Sequence, residues 1–80
     1  MAGIEVLSPL PGIFYHRPSP EEPAFKNPGD AVNAGDVVGL IEIMKSFNEV
    51  KAERAGTFTG YLVSHGEEIA PGQPLALIDG

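Results

Sequence analysis

The chain repeats itself. Residues 28–42 lie on residues 65–79 at an offset of 65 − 28 = 37. Gly29 falls on Gly66, Gly35 on Gly72 and Val32 on Ile69, and Leu40-Ile41-Glu42 falls on Leu77-Ile78-Asp79. Each copy reads as a glycine turn, a short apolar segment, a second glycine turn and a strand. Glycine at such turns permits positive φ without steric cost. Short strands bounded by turn residues are the pattern of an all-β barrel or sandwich. Two similar halves in one small domain predict a pseudo-two-fold arrangement. The expected fold is an all-β barrel or sandwich, one domain over residues 1–80. Its expected core is Ile13, Phe14, Val32, Leu40, Ile41, Val50, Phe58, Leu62, Ile69, Leu77 and Ile78.

Composition narrows the alternatives. Ten glycines and eight prolines in 80 residues interrupt any long helical pattern. The chain has no cysteine, which excludes a disulfide and a cysteine metal site. His16 and His65 stand far apart in sequence, and no histidine metal site is expected. The longest apolar run, Val37 to Ile41, is far too short to span a bilayer. Met1 to Glu5 lack a basic segment followed by an apolar one, so no secretory signal is expected. The net charge of −6 makes nucleic acid and anionic membranes poor partners. No nucleophile is paired with a base, and there is no phosphate loop, so the chain reads as a non-catalytic component.

Upstream, the repeat changes register. Gly12-Ile13-Phe14 lies on Gly56-Thr57-Phe58 at an offset of 56 − 12 = 44, so the first copy carries 44 − 37 = 7 extra residues. They fall between Arg17 and Phe25, at Pro18, Ser19, Pro20, Glu21, Glu22, Pro23 and Ala24. Three prolines there suit an extended, partly ordered loop rather than a strand. Read from residues alone, a tolerated surface insertion is the favoured reading, since lengthening a loop costs little.

The segment joining the halves carries the chemistry. Strand-like runs at Val37 to Ile43 and Phe47 to Ala52 flank a turn that exposes Lys45. In a pseudo-two-fold barrel this tip lies farthest from Met1 and Gly80. A lysine there is either an ordinary solvated turn residue or a handle for covalent modification. Met44 beside it can pack at the end of a strand or offer a polarizable contact to a modifying enzyme. Glu42 can be a solvated strand residue or a contact of the same kind.

Glu42-Ile43-Met44-Lys45, followed by Ser46-Phe47-Asn48-Glu49-Val50, resembles the attachment hairpin of biotin carboxyl carrier proteins, whose motif reads Glu-Ala-Met-Lys-Met. Glu42, Met44, Lys45, Asn48 and Glu49 match, whereas Ile43 replaces alanine and Ser46 replaces the second methionine. Pro11-Gly12-Ile13-Phe14-Tyr15 resembles the family's Gly-Thr-Phe-Tyr strand, and Ala55-Gly56-Thr57 resembles the opening of its second half. The resemblance covers nearly the whole chain. It implies a biotinyl/lipoyl domain of the barrel-sandwich type, a flattened β-barrel of two apposed antiparallel sheets, with biotin covalently attached to Lys45. Glu42, Ile43, Met44 and Ser46 are then the ligase-recognition hairpin, and the insertion is the thumb of acetyl-CoA carboxylase carriers.

Such a carrier shuttles carboxybiotin between biotin carboxylase and carboxyltransferase sites in fatty acid synthesis. Its implied partners are a biotin protein ligase, a biotin carboxylase subunit and a carboxyltransferase subunit. Its implied location is the cytoplasm, or a plastid where a targeting segment has been removed. Two alternatives share the fold. A lipoyl domain usually places Asp before its lysine and Ala after, unlike Met44 and Ser46. An unmodified interaction domain is the other.

Overall fold

A computed structural model describes residues 3–80. Eight strands follow one another: β1 (Gly3–Leu7), β2 (Gly12–Tyr15), β3 (Ala31–Val32), β4 (Val37–Ile43), β5 (Ser46–Lys51), β6 (Gly56–Tyr61), β7 (Glu67–Ile69) and β8 (Pro74–Asp79). They form two four-stranded antiparallel sheets, ordered β1-β8-β6-β3 and β5-β4-β2-β7. With extents of 37 × 28 × 20 Å, the barrel is flattened, as the family resemblance implies. Each sheet takes strands from both copies. Neither half is a unit that could close its own core.

The turns show how the copies interlock. Asp30 N–H donates to the Asn27 carbonyl at 2.9 Å, and its carboxylate accepts from Asn27 N–H at 2.8 Å. Glu67 does the same to Ser64, at 3.1 and 2.8 Å. The third residues of these turns, Gly29 and Gly66, have φ of 96° and 83°. Gly29 N–H then donates across to the Phe58 carbonyl at 2.8 Å, and Gly66 N–H to the Phe14 carbonyl at 2.7 Å. Each half's turn is thus bonded to the other half's first core strand.

A second symmetric pair sets how closely the strands approach. A Cβ on Gly12 would lie 2.5 Å from the Glu42 carbonyl oxygen and 2.7 Å from Ile41 Cγ2. A Cβ on Gly56 would lie 2.6 Å from the Asp79 oxygen and 2.7 Å from Ile78 Cγ2. These are equivalent positions of the repeat. Only glycine fits, because the obstacle is backbone that cannot move aside.

Between the sheets lie Val6, Phe14, Val32, Val38, Ile41, Val50, Ala52, Phe58, Val63, Ile69, Leu75, Ala76 and Ile78, all buried. Four expected core residues are not among them. Leu40 and Leu77 are only half-buried, while Ile13 and Leu62 are exposed. The reason is the two-residue period of a strand: Leu40 and Ile41, Leu77 and Ile78, and Ile13 and Phe14 are neighbours that face opposite ways. Val38 and Leu75 occupy the inward places instead, and a register shift between Val37 and Gly39 marks the bulge at the start of β4.

β5 runs from the tip at Ser46 to Lys51, and residues 53–55 lead on to Gly56, which packs against Asp79. The β4–β5 tip therefore lies at the opposite pole from the Gly3–Asp79 pair. Met1, expected at that far pole, lies outside the described residues. Residues 18–24 form no strand. They leave the barrel after β2, and the excursion is closed at its base by Phe25 N–H donating to the His16 carbonyl at 2.8 Å.

We expect Gly56→Ala to lower stability by about 1–3 kcal/mol through overpacking. Gly60, where an added Cβ meets nothing within 4 Å, is the control. Urea midpoints should fall for Gly56→Ala and stay unchanged or rise for Gly60→Ala.

Candidate functional site

β4 and β5 are joined by two residues only, Met44 and Lys45, which cap the Ile43–Ser46 pair. Their φ values are 49° and 70°. A two-residue hairpin of this hand needs positive φ at both central positions, and Asn-Gly is the usual occupant. Placing Met and Lys there costs about 1–2 kcal/mol each in backbone strain. Local propensity is therefore overridden by the pairing of β4 with β5 on either side of the turn.

The strained turn delivers an exposed amine. Lys45 is exposed, and among the described residues it forms no ion pair. Lys26, by contrast, is bound to Asp36 at 3.1 Å and to the Ala31 carbonyl at 3.0 Å. Met44 is 94% exposed, so its role is not core packing. Ser46 is exposed as well. Ile43, expected to face a ligase, is half-buried and packs against the core. Glu42 is not simply solvated. Its Oε1 accepts from the Tyr15 hydroxyl at 2.7 Å, which ties the hairpin to β2. That bond, with smaller contributions from burial and the carboxylate charge, holds the Tyr15 phenol above its ordinary range.

Around this bond the fold gathers aromatic residues that are scattered in sequence. Phe47, 60% exposed, stands 6.2 Å from the Tyr15 ring, and His65 meets Tyr15 edge-on at 5.3 Å. His16 N–H donates to His65 Nδ1 at 2.9 Å. The His16 ring stacks on Tyr61 at 3.7 Å, and its Nε2 bonds the Val63 carbonyl at 2.8 Å. The two histidines that sequence spacing isolates are thus neighbours, through β2–β7 pairing. No group of three metal-ligating side chains occurs among the described residues. Burial lowers the His16 pKa, the Val63 bond opposing it in part. Burial also pushes the Tyr61 phenol up to about 12.

The seven-residue excursion leaves from this cluster. Arg17, Pro18, Ser19 and Pro20 line a groove of about 230 Å³ with Tyr15, Phe47 and His65. Phe47 is two residues from Lys45, so the excursion borders the hairpin. Glu21, Glu22, Pro23 and Ala24 are outside the groove lining, and Glu22 N–H turns back to the Ser19 carbonyl at 3.1 Å. Arg17 Nε is buried and meets no acceptor among the described residues. A second groove, of about 210 Å³, is lined by residues of β1 and by Lys51, Glu53 and Arg54, none of them at the tip. Tyr15, Arg17, Phe47 and His65 escape sequence reasoning, because no spacing in the chain links them.

A pseudo-symmetric barrel that offers one unencumbered lysine on a two-residue turn, beside a partly apolar groove with a free donor, is a carrier domain of the biotinyl/lipoyl class. The comparisons make this specific. The family model described as "Biotin-requiring enzyme" matches residues 4–78. The biotin carboxyl carrier protein of acetyl-CoA carboxylase from Chlamydia muridarum is 47% identical over 70 residues, 88% of this chain and 43% of that protein. The protein of the same name from Haemophilus influenzae is 37% identical over 79 residues, covering 99% of this chain and 51% of that one. The crystal structure of Kluyveromyces lactis urea carboxylase superposes with a TM-score of 0.79 at 28% identity, over 99% of this chain and 6% of that one. The chain belongs to the biotin-requiring enzyme family. It spans about half the length or less of the curated carriers it matches.

Two expectations follow from the site. Met44→Asn should stabilise the fold by about 0.5–1 kcal/mol, since Asn tolerates the left-handed region better than Met; thermal unfolding reads this directly. His16 adds a pH dependence. Its folded pKa lies below the 6.5 of the free side chain, so the unfolded chain binds the proton first. Its contribution is complete above pH 6.5 and is lost as pH falls through the lower folded value. His16→Phe keeps a ring on Tyr61 and should lose less stability than the native chain between about pH 7 and about pH 5.

Proposed function

We propose that this chain is the biotin-bearing domain of an acetyl-CoA carboxylase carrier, with biotin joined by an amide to Lys45 Nζ. The observation that carries the reading is the lysine itself. It sits beside Met44 on a strained turn at one pole, its amine unpaired among the described residues, within a family described as biotin-requiring. The relatives named as carriers of acetyl-CoA carboxylase supply the enzyme. Attached biotin supplies the carboxyl-accepting nitrogen, and the chain's own residues supply placement. The lysine and the cofactor's chain make an arm of roughly 14 Å. Tethering raises the local concentration of the ring at each site the arm can reach.

The partners of such a domain are a biotin protein ligase, which reads Met44, Ser46 and the exposed part of Ile43 around the turn, and the biotin carboxylase and carboxyltransferase subunits. Residues 18–24 serve as a thumb beside the arm. The lipoyl alternative would want Asp and Ala where Met44 and Ser46 stand. The place of action is the cytoplasm or a plastid, in keeping with a relative named as chloroplastic in Arabidopsis thaliana.

Co-expression with a biotin protein ligase should add one biotin, seen as a single mass increment on the intact protein, and Lys45→Arg should abolish it. Biotin on Lys26 or Lys51 would overturn the assignment. So would lipoate added by a lipoyl ligase where biotin is not.

A further inference from the structure

We propose that Met44 is a reversible oxidation site, and that the state of its sulfur sets how fast a biotin protein ligase modifies Lys45. The inference rests on the carrier reading and adds a control to it.

Neither folding nor turn chemistry accounts for a methionine here. Met44 is 94% exposed, against 60% for Phe47, the next most exposed large apolar side chain among the described residues. It belongs neither to the core cluster nor to the side chains packed on it. Its φ of 49° lies in the region that Asn and Gly favour. What remains is what the side chain presents to another molecule. Methionine presents a flexible apolar chain and a polarizable thioether. Leucine could supply an apolar chain, but only methionine adds a sulfur that can be oxidised and restored.

That sulfur has no competitor beside it. The chain contains no cysteine, and its other methionine, Met1, lies outside the described residues. Exposure admits hydrogen peroxide, and it equally admits a reductase, which must reach the sulfur to reverse the change. In the forward step a sulfur lone pair attacks one peroxide oxygen. The O–O bond breaks, an S–O bond forms, and the proton of the transferred oxygen passes to the departing one, which leaves as water. Sulfur is oxidised by two electrons and peroxide is reduced by two. In the reverse step a reductase dithiol becomes a disulfide and the sulfoxide oxygen leaves as water.

Position turns this chemistry into a signal. Met44 and Lys45 are the whole of the turn, with Cα atoms about 3.8 Å apart. A ligase that takes Lys45 Nζ into its active centre therefore takes Met44 against its surface. A thioether is buried there at little cost. A sulfoxide is a polar acceptor, and burying it without a donor is unfavourable. Oxidation of a core methionine disrupts packing, whereas at this exposed turn the fold is indifferent. Only a molecule that touches the tip registers the change.

The test uses the unmodified chain, treated with hydrogen peroxide and then freed of it. Peptide masses should place one added oxygen on Met44, gained as fast as by methionine in an unstructured peptide. The urea midpoint should not move. Biotin attachment by a biotin protein ligase with MgATP should slow about tenfold in kcat/KM, the equivalent of ~1.4 kcal/mol. Two methionine sulfoxide reductases, one for each sulfoxide epimer, should together restore the rate. Met44→Leu, whatever its own rate, should lose none of it to peroxide. Attachment to oxidised Met44 chain at the untreated rate overturns the proposal. So does a slowing that Met44→Leu shares, a rate that the reductases leave unrestored, or a lowered urea midpoint. An untreated chain that takes no biotin overturns the carrier reading, a failure told apart because it precedes any peroxide.

Discussion

Everything in this barrel hangs on two places where strand backbone passes within touching distance of glycine. Gly12 lies against the carbonyl of Glu42, and Gly56 against that of Asp79. At these crossings a single methyl group would force the strands apart. The approach lets Phe14 and Phe58 reach the centre, where both are fully buried. It also places β2 directly beside β4, with Ile13 opposite Glu42. The site depends on that placement. Tyr15 can hold Glu42 only because β2 runs at this height along β4.

The same architecture explains how a strained turn is tolerated. The β4–β5 ladder runs from Ile43–Ser46 down to Val37–Lys51, and its inward residues Ile41 and Val50 are buried. Core burial and strand pairing hold the two chain ends together, so the two-residue link must adopt positive φ whatever its side chains prefer. A turn made of the residues that favour it, Asn-Gly, would carry no amine. Met44 and Lys45 are held outward at one pole, and the strain is carried by the rest of the barrel.

The pseudo-symmetry is broken on one side only. Where the second half turns directly from β6 into Leu62 and Val63, the first half leaves the barrel for residues 18–24 and returns at Phe25. His16 anchors the departure through its stack on Tyr61 and its bond to Val63, both residues of the second half. The excursion is thus fastened to a surface that the fold has already built. It sits next to the hairpin because β2 and β4 are neighbours in the sheet.

Much of this was legible in the chain itself. Glycines at matched offsets marked the turns, the change of offset located the insertion, and the two strand-like runs placed Lys45 at a tip. Local chemistry sufficed, because turn geometry and alternation act over a few residues. Which member of an apolar pair faces inward was not legible. Leu40-Ile41 and Leu77-Ile78 read alike from either side, and only sheet-on-sheet packing, with its bulges, chose the isoleucines. The groove was invisible for a related reason. Tyr15, Arg17, Phe47 and His65 belong to three different stretches of the chain, and no local rule joins them. Strand register alone brings His65 to His16 and Phe47 to Tyr15, and with them leaves one buried guanidinium nitrogen without an acceptor among the described residues.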